Sequence, residues 1–272
     1  MFGTKKNYIL TINNLSELRL EESGSTNSIS RLKLDEEMIY EGNNIDEIQL
    51  TYVLNKFLSE VNENDNLLIR YSSPKNIFRI KKVEGIDEND LDGYIKYNLD
   101  ELIPFSKDNL AIESQVINEY VAVFGINKNV LKHIENILKE LNFQNIYFTL
   151  FTSELLNFWG DNNSDDFIFF NIEDKFLEYF IIEQSEFKEY RIINLEDISI
   201  SGGAIPEDKI IDQMYLILKE IFQSIDSLET KVIYSIGDWT LINIWNIVMF
   251  DKFKMKITAR PFDVKKYFGV IK

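Results

Sequence analysis

The chain has 272 residues, of which 45% are hydrophobic and 13% aromatic, a composition that excludes a disordered protein and fits one or two folded domains. Its formal net charge is −16, which argues against a nucleic-acid partner and against direct binding to anionic lipid, because both need a basic surface. There is no cysteine, so disulfide bridges and thiolate metal sites are excluded.

The first part of the sequence predicts a sheet with one crossover helix. Apolar runs predict strands at residues 8–12, 16–20, 28–34 and 67–71. Before the last of these strands, a helix is expected at residues 45–61. Its buried face is expected to include Ile48, Tyr52, Leu58 and Val61.

A second group of elements follows at residues 74–142. The predicted order is strand, helix, strand, strand, helix, at residues 77–82, 88–103, 110–117, 120–126 and 128–141. Asp87 is the expected N-cap of the first helix and Asn127 that of the second. A strand at residues 145–151 then returns to the main body. This order describes a small α+β module inserted into a larger sheet.

The second half repeats the order of the first. Strands are expected at residues 167–172, 176–182, 187–193, 231–236 and 254–258, with helices at 206–225 and 239–250. Three strands, a helix and a further strand therefore occur twice, which predicts an actin-like (ribonuclease H-like) duplication. A three-strand meander with helices also occurs in other α/β proteins, so the pattern alone leaves the fold open. The polar residues 160–164 are the expected link between the halves.

One segment of the inserted module carries a resemblance to a known family. Residues 97–105 read YNLDELIPF, and Pro104 is expected to end the helix because proline cannot continue its hydrogen bonds. This segment, followed by the predicted strands at 110–117 and 120–126, resembles the inserted subdomain of the PilM family. These are actin-like cytoplasmic proteins of type IV pilus assembly, related to the division protein FtsA.

The resemblance implies a fold class and a domain organisation. The fold would be α/β and actin-like, with duplicated ribonuclease H-like lobes and an inserted small α+β (1C-like) subdomain. The first lobe would comprise residues 1–73 and 143–160, the insert 74–142, and the second lobe 161–272. Because the connection at 194–205 is short, the second lobe would lack the extra subdomain that forms one wall of the nucleotide cleft in the family.

The sequence departs from the family in the turns that would hold a nucleotide. Actin-like ATPases need a carboxylate and a glycine in each of two strand turns, because glycine lets backbone N–H groups approach the phosphates. In the first turn these positions fall at about Thr11 and Asn13 or Asn14, although Ser16 remains. In the second they become Asn171 and Glu173.

The third expected nucleotide contact is a glycine-rich adenosine turn. It keeps Gly237, but Ile236 and Asp238 stand where small residues are usual. All these positions are therefore interpreted as vestigial, with no catalytic residue and no bound cofactor. The expected protein is not an enzyme but a pseudo-ATPase that keeps its fold to bind proteins.

By resemblance, the implied function is that of an adaptor in the inner-membrane assembly platform of a type IV pilus or a related type II secretion system. It would bind the cytoplasmic tail of a PilN-like membrane protein and contact the motor ATPase, without nucleic acid and without inserting into the membrane. It would thus be cytoplasmic and peripheral to the inner membrane. The partner site would lie near five residues of the insert, namely Leu99, Leu102, Ile103, Pro104 and Phe105.

Other readings of the sequence lead to different functions. The alternative is an active actin-like ATP-binding protein or an FtsA-like filament-forming protein.

The negative charge would steer a basic partner segment towards this chain, although acidity also serves solubility. The single histidine, His133, lies on the polar side of its helix and has no second histidine to complete a metal site, so no metal is expected.

Overall fold

The computed structural model describes residues 5–23, 28–34, 40–41, 44–83, 85, 89–103, 109–161, 166–173, 175–195, 207–225, 232–237, 239–255 and 257–259. The described residues up to Asp161 form one compact unit, and those from Asp166 onwards form a second. The division of the chain into two lobes and an insert, with the boundaries given above, stays a prediction.

The first unit contains a five-stranded sheet. Its strands are β1 (Asn7–Asn13), β2 (Glu17–Glu22), β3 (Ser28–Lys33), β6 (Asn66–Ser72) and β10 (Asn145–Thr149). They lie in the order β10-β6-β1-β2-β3. The pairs β1–β2 and β2–β3 are antiparallel, whereas β1–β6 and β6–β10 are parallel. Two very short strands, β4 (Tyr40–Glu41) and β5 (Asn44–Ile45), pair with each other.

Helix α1 (Glu47–Phe57) corrects the predicted buried face. Leu50 and Leu54 are buried, but Ile48 is 81% and Tyr52 64% exposed, so the prediction for these two residues is wrong. The helix has two apolar pairs at i,i+4 spacing, and a shift of two residues turns a side chain to nearly the opposite side. Only one pair can face the sheet, and the structure selects Leu50 and Leu54.

Helix α4 (Phe151–Asp161) was not predicted, since the sequence favoured a strand through residue 151. Strand β10 ends at Thr149, and the helix begins two residues later. Eight of its eleven residues are buried, including Trp159. Thr152, Ser153 and Glu154 are buried together with the apolar residues, so the polar residues of this helix do not mark a solvent-exposed face as helical periodicity assumes.

The insert forms a three-stranded antiparallel sheet. Strands β7 (Ile77–Lys82), β8 (Leu110–Ile117) and β9 (Tyr120–Asn127) lie in the order β7-β9-β8, at the predicted positions. Helix α2 (Leu91–Leu102) supplies side chains to a small core on one face of this sheet. Asp87, its predicted cap, lies outside the described residues. The core contains Ile77, Leu102, Ile103, Val121 and Val123.

Helix α3 (Lys128–Glu140) follows β9 without a loop. Its N-cap is Asn127, as predicted, and the Asn127 side chain accepts a hydrogen bond from the Asn129 amide at 2.9 Å. The helix contacts α1, and His133 pairs with Glu47 of α1 on the exposed surface. The helix therefore contacts both α1 and strand β9 of the insert, and its predicted place in the insert stays a prediction.

The second unit repeats the first sheet strand by strand. Its strands are β11 (Phe167–Ile172), β12 (Phe176–Glu183), β13 (Glu186–Asn194), β14 (Val232–Gly237) and β15 (Ile257–Ala259), in the order β13-β12-β11-β14-β15. In both sheets the third, second, first, fourth and fifth strands are neighbours in that order, with antiparallel pairs followed by parallel ones. The predicted duplication is confirmed.

Helices α5 (Glu207–Gln223) and α6 (Trp239–Val248) cover one face of the second sheet. The end of α6 continues as a π-helix, Met249–Phe253. Their shared core includes Phe170, Leu218 and the fully buried Trp245. Residues 196–206, where the family would place its extra cleft subdomain, lie outside the described residues. Among the helices that the structure describes, none has the length and apolar character that crossing a membrane requires.

Candidate functional site

The first predicted nucleotide turn, between β1 and β2, is closed by its own hydrogen bonds. The Asn14 amide donates to the Ser72 carbonyl at 2.7 Å, and the Ser16 amide donates to the Asn13 carbonyl at 2.8 Å. The Ser16 hydroxyl also donates to the Asn13 carbonyl, at 2.9 Å. Two amides and one hydroxyl that a phosphate loop would offer to a ligand are therefore already bonded, one to strand β6 and two within the turn.

The conformation of this turn differs from a glycine cradle. Asn14 and Leu15 have φ angles of 46° and 54°, in the left-handed region that favours glycine. Leu15 is fully buried, so its side chain belongs to the core of the first unit. The turn thus supports the core where the family resemblance would place a phosphate site.

The second predicted turn, between β11 and β12, contains side chains committed to the protein interior. Asn171 and Glu173 are each 1% exposed. The Asn171 amide nitrogen donates to Glu178 Oε2 at 3.0 Å, across the pairing of β11 with β12. The Glu173 amide donates to the Phe176 carbonyl at 2.9 Å. The Asn171 side chain is therefore bonded to the Glu178 carboxyl group on the neighbouring strand of the same sheet.

Glu178 forms a buried polar cluster with Asn171 and Tyr190. The Tyr190 hydroxyl donates to Glu178 Oε1 at 2.5 Å, from the neighbouring strand β13. Burial raises the pKa of Glu178 to about 7, although the hydrogen bonds from Tyr190 and Asn171 act in the opposite direction. The pKa of this buried carboxyl group therefore lies close to neutral pH.

Gly237 has a structural reason to be glycine. Its φ is 121°, and a Cβ atom at this position would lie 2.1 Å from the Ile172 carbonyl oxygen. Gly237 pairs with Ile172 at the end of β14, so the close approach follows from the register of the two strands. The parallel pairing of β11 and β14 thus accounts for this glycine without a nucleotide.

Of the predicted partner-binding residues, two are buried, and the other three side chains lie outside the described part of the chain. Leu102 is 5% exposed and Ile103 is fully buried in the core of the insert, so neither side chain is accessible to a partner. The end of helix α2 is therefore buried at Leu102 and Ile103. Pro104 and Phe105 lie outside the described residues, as does the side chain of Leu99, and their role stays a prediction.

A cavity lies on the other face of the insert sheet. It is an open depression, and its volume of roughly 400 Å³ includes the solvent at its mouth. We call it the insert cleft, and its lining residues are Ala111, Glu113, Ser114, Gln115, Phe124, Ile126, Leu150 and Ser153. Strands β8 and β9 form its floor, and the first turn of α4 borders it. Because α4 was not predicted, this cavity could not be predicted from the sequence.

Two buried polar atoms of the insert cleft have no hydrogen-bond partner in the part of the chain that the structure describes. They are Ser153 Oγ and Gln115 Oε1. The amide nitrogen of Gln115 is occupied, since it donates to Asn157 Oδ1 of α4 at 2.7 Å. Buried polar atoms are normally satisfied in folded proteins, so these two atoms are available to accept hydrogen bonds from water or from a ligand.

Strand β8 is an edge strand with little protection against pairing. Among its eight residues only Glu113 is charged. The opposite edge of the same sheet, β7, carries Arg79, Lys81 and Lys82, and charged side chains of this kind discourage the addition of a further strand. The edge beside the insert cleft is therefore the one suited to pairing with an extended segment.

The comparisons with known proteins concern the fold. No protein-family model matches the chain, and no curated protein sequence is significantly similar to it. Among solved structures, a protein from Bacteroides thetaiotaomicron with an actin-like ATPase fold and unknown function covers 97% of this chain and 94% of its own, with a TM-score of 0.53 and 12% identity. The ethanolamine utilization protein EutJ from Carboxydothermus hydrogenoformans covers 99% and 90%, with a TM-score of 0.50 and 9% identity.

The duplicated sheets and these similarities define the class: the chain has the actin-like ATPase fold. Within this class the chain resembles PilM, as seen in the PilM–PilN type IV pilus biogenesis complex. The alignment covers 96% of this chain and 91% of the other, with a TM-score of 0.65 and 15% identity. The predicted fold class is confirmed, and at this identity the similarity shows the fold alone.

Replacing Gly237 tests whether the fold itself requires this glycine. We expect Gly237→Ala to lower the free energy of unfolding by roughly 3 kcal/mol without any nucleotide, because the new Cβ would collide with the Ile172 carbonyl. Urea denaturation measures the change. The matched control is Gly93→Ala in α2, where a Cβ meets nothing within 4 Å and alanine favours the helix. Equal stability of Gly237→Ala and the parent protein would contradict the structural role.

The buried Glu178 makes stability depend on pH. Its pKa is about 7 in the folded protein and 4.5 in the reference state, so the folded protein holds the proton more tightly. Unfolding then releases a proton between these values, and this contribution to stability falls by on the order of 3 kcal/mol as pH rises from 4.5 to 7.

Urea denaturation at several pH values should therefore show a decline in the parent protein that Glu178→Gln lacks. Glu186→Gln, on the adjacent strand β13, removes an exposed carboxylate and serves as the control. A parallel pH profile for the parent and Glu178→Gln would refute the assignment.

Proposed function

We propose that this chain is an adaptor that binds an extended segment of a membrane protein, in the manner of the PilM branch of the actin-like fold. The observation that carries the proposal is the insert cleft, which lies beside the weakly protected edge strand β8. An extended segment that pairs with an edge strand gains affinity from main-chain hydrogen bonds, and a pocket beside the strand selects its side chains. The described residues offer both features in one place.

The partner in this proposal is the cytoplasmic tail of a PilN-like membrane protein. The similarity to PilM in a complex with PilN supports this choice, since the chain aligns with nearly the whole of that protein. The adaptor would work at the cytoplasmic face of the inner membrane in a pilus or secretion platform, held there by its protein partners. It would also contact the motor ATPase of that platform.

We also propose that the chain does not hydrolyse ATP. The internal hydrogen bonds of Asn14 and Ser16, the buried Leu15 and the commitment of Asn171 to Glu178 support this proposal. Each of these groups serves the fold where a phosphate loop would present free amides or a carboxylate for magnesium. The fold would thus be retained as a scaffold.

Calorimetry with a tail peptide tests the adaptor role. The peptide is the cytoplasmic tail of a single-span membrane protein encoded beside this one. We expect micromolar binding to the parent protein and at least tenfold weaker binding to Ala111→Trp, because the large side chain would fill the insert cleft. Lys188→Trp, on the exposed edge strand β13, adds the same side chain elsewhere and should bind normally.

The outcomes of this experiment separate the role from the site. Thermal unfolding of the three proteins first establishes that each is folded. Absence of binding heat at high micromolar peptide would count against the adaptor role. Undiminished binding by a folded Ala111→Trp would leave that role intact and exclude the insert cleft.

Thermal unfolding with Mg-ATP tests the proposed lack of nucleotide binding. We expect no change in Tm between samples with and without Mg-ATP, since a ligand stabilises only the folded state that binds it. A rise of several degrees, accompanied by release of phosphate, would instead favour the active actin-like ATPase. Electron microscopy of the same samples would show filaments if the chain assembled as FtsA does.

A further inference from the structure

We propose that the insert cleft receives one unbranched basic side chain, a lysine or an arginine, from the extended segment that pairs with β8. The proposal rests on the proposed function and adds the chemistry of the partner. It follows from three properties of the cleft: apolar walls, buried acceptor atoms without partners, and a carboxylate at the rim.

The walls suit the aliphatic part of such a side chain. Phe124 and Ile126 of β9 present buried apolar groups, and Leu150 and Ala111 extend this surface. Lysine and arginine bury their methylene groups along apolar surfaces while their charged ends stay with polar groups. A short polar side chain would leave these walls unfilled.

The polar atoms of the cleft call for hydrogen-bond donors. Gln115 uses its amide nitrogen on Asn157, so only its unpartnered carbonyl oxygen is available, as an acceptor. Ser153 is 2% exposed, and its hydroxyl oxygen can also accept. An ammonium or guanidinium group carries several donors and no acceptor, so it satisfies both atoms, whereas a leucine or phenylalanine would leave them buried and unpaired.

Glu113 adds the charge that distinguishes a cation from a neutral donor. Its side chain is exposed at the rim of the cleft, and it makes no ion pair with any residue that the structure describes. Partial burial raises the pKa of its carboxyl group. A cation placed beside it would restore the stability of the ionised form. The net charge of −16 would attract a basic segment from a distance.

A double-mutant cycle with the tail peptide tests the pairing. Each lysine or arginine of the peptide is replaced in turn by norleucine, which keeps the aliphatic length and removes the charge. We expect one replacement to weaken binding to the parent protein about tenfold but to have little effect on Glu113→Gln. Glu119→Gln, at the turn after β8, removes the same charge outside the cleft and should behave like the parent protein.

A small probe tests the cleft without the peptide. n-Butylguanidinium and n-butanol are titrated into isotope-labelled protein, and NMR follows the amides of Ala111, Gln115 and Ser153. We expect saturable shifts with the guanidinium, several times weaker ones with the alcohol, and a fall in the pKa of Glu113 when the cation binds, because a nearby positive charge favours the carboxylate. Ser153→Ala should weaken the binding of the cation while the protein stays folded.

These outcomes separate the inference from the proposed function. Peptide binding in which no basic residue couples to Glu113 would overturn the inference and leave the adaptor role standing. Failure of the peptide to bind would count against that role, and the probe would still decide the chemistry of the cleft. Equal shifts with the guanidinium and the alcohol, or an unchanged pKa of Glu113, would overturn the proposal of a basic side chain.

Discussion

The buried ion pair between Arg70 and Glu154 fixes the part of the first unit on which the insert cleft depends. Arg70 of β6 donates to both carboxylate oxygens of Glu154, at 2.8 and 2.6 Å, and Glu154 is fully buried. Such a pair adds little net stability, but removal of one partner leaves an uncompensated buried charge, so the geometry is strongly enforced. Helix α4 is thereby anchored to the first sheet, with Ser153 and Asn157 directed to β8.

The same helix holds the insert sheet in place through close packing. Trp159 and Tyr120 have ring centroids 5.1 Å apart, and a Cβ on Gly160 would lie 2.6 Å from the Ile117 side chain. A side chain at Gly160 would therefore displace the end of the Ile117 side chain on β8. The insert cleft is lined by Ser153 of the same helix and by residues of β8 and β9, so its shape depends on how α4 packs against these strands.

The sequence predicted the sheets well because strand patterns are local. Apolar runs located the strands of both halves, and Asn127 was identified as a cap from its position before an amphipathic helix. The failures have a common physical origin in tertiary context. Helix α4 buries polar residues such as Glu154, and the choice between Ile48 and Leu50 on α1 depends on which side of the helix the fold buries. Ile103 was predicted to contact a partner, but its side chain is part of the core of the insert. The cleft joins segments far apart in sequence, so no single motif could reveal it.

The edge strand β8 also has a consequence for the protein before it meets a partner. A strand that pairs with one extended segment through its backbone can also pair with others, because main-chain hydrogen bonds do not depend on the sequence of the segment. Under the proposed function, the nearby walls of the cleft would supply the discrimination that the backbone lacks. If more of this chain were made than of the proposed partner, the edge strand β8 would remain unpaired. Copies of the chain could then associate with one another through this strand. The proposed function would therefore require that the chain and its partner be produced in balanced amounts.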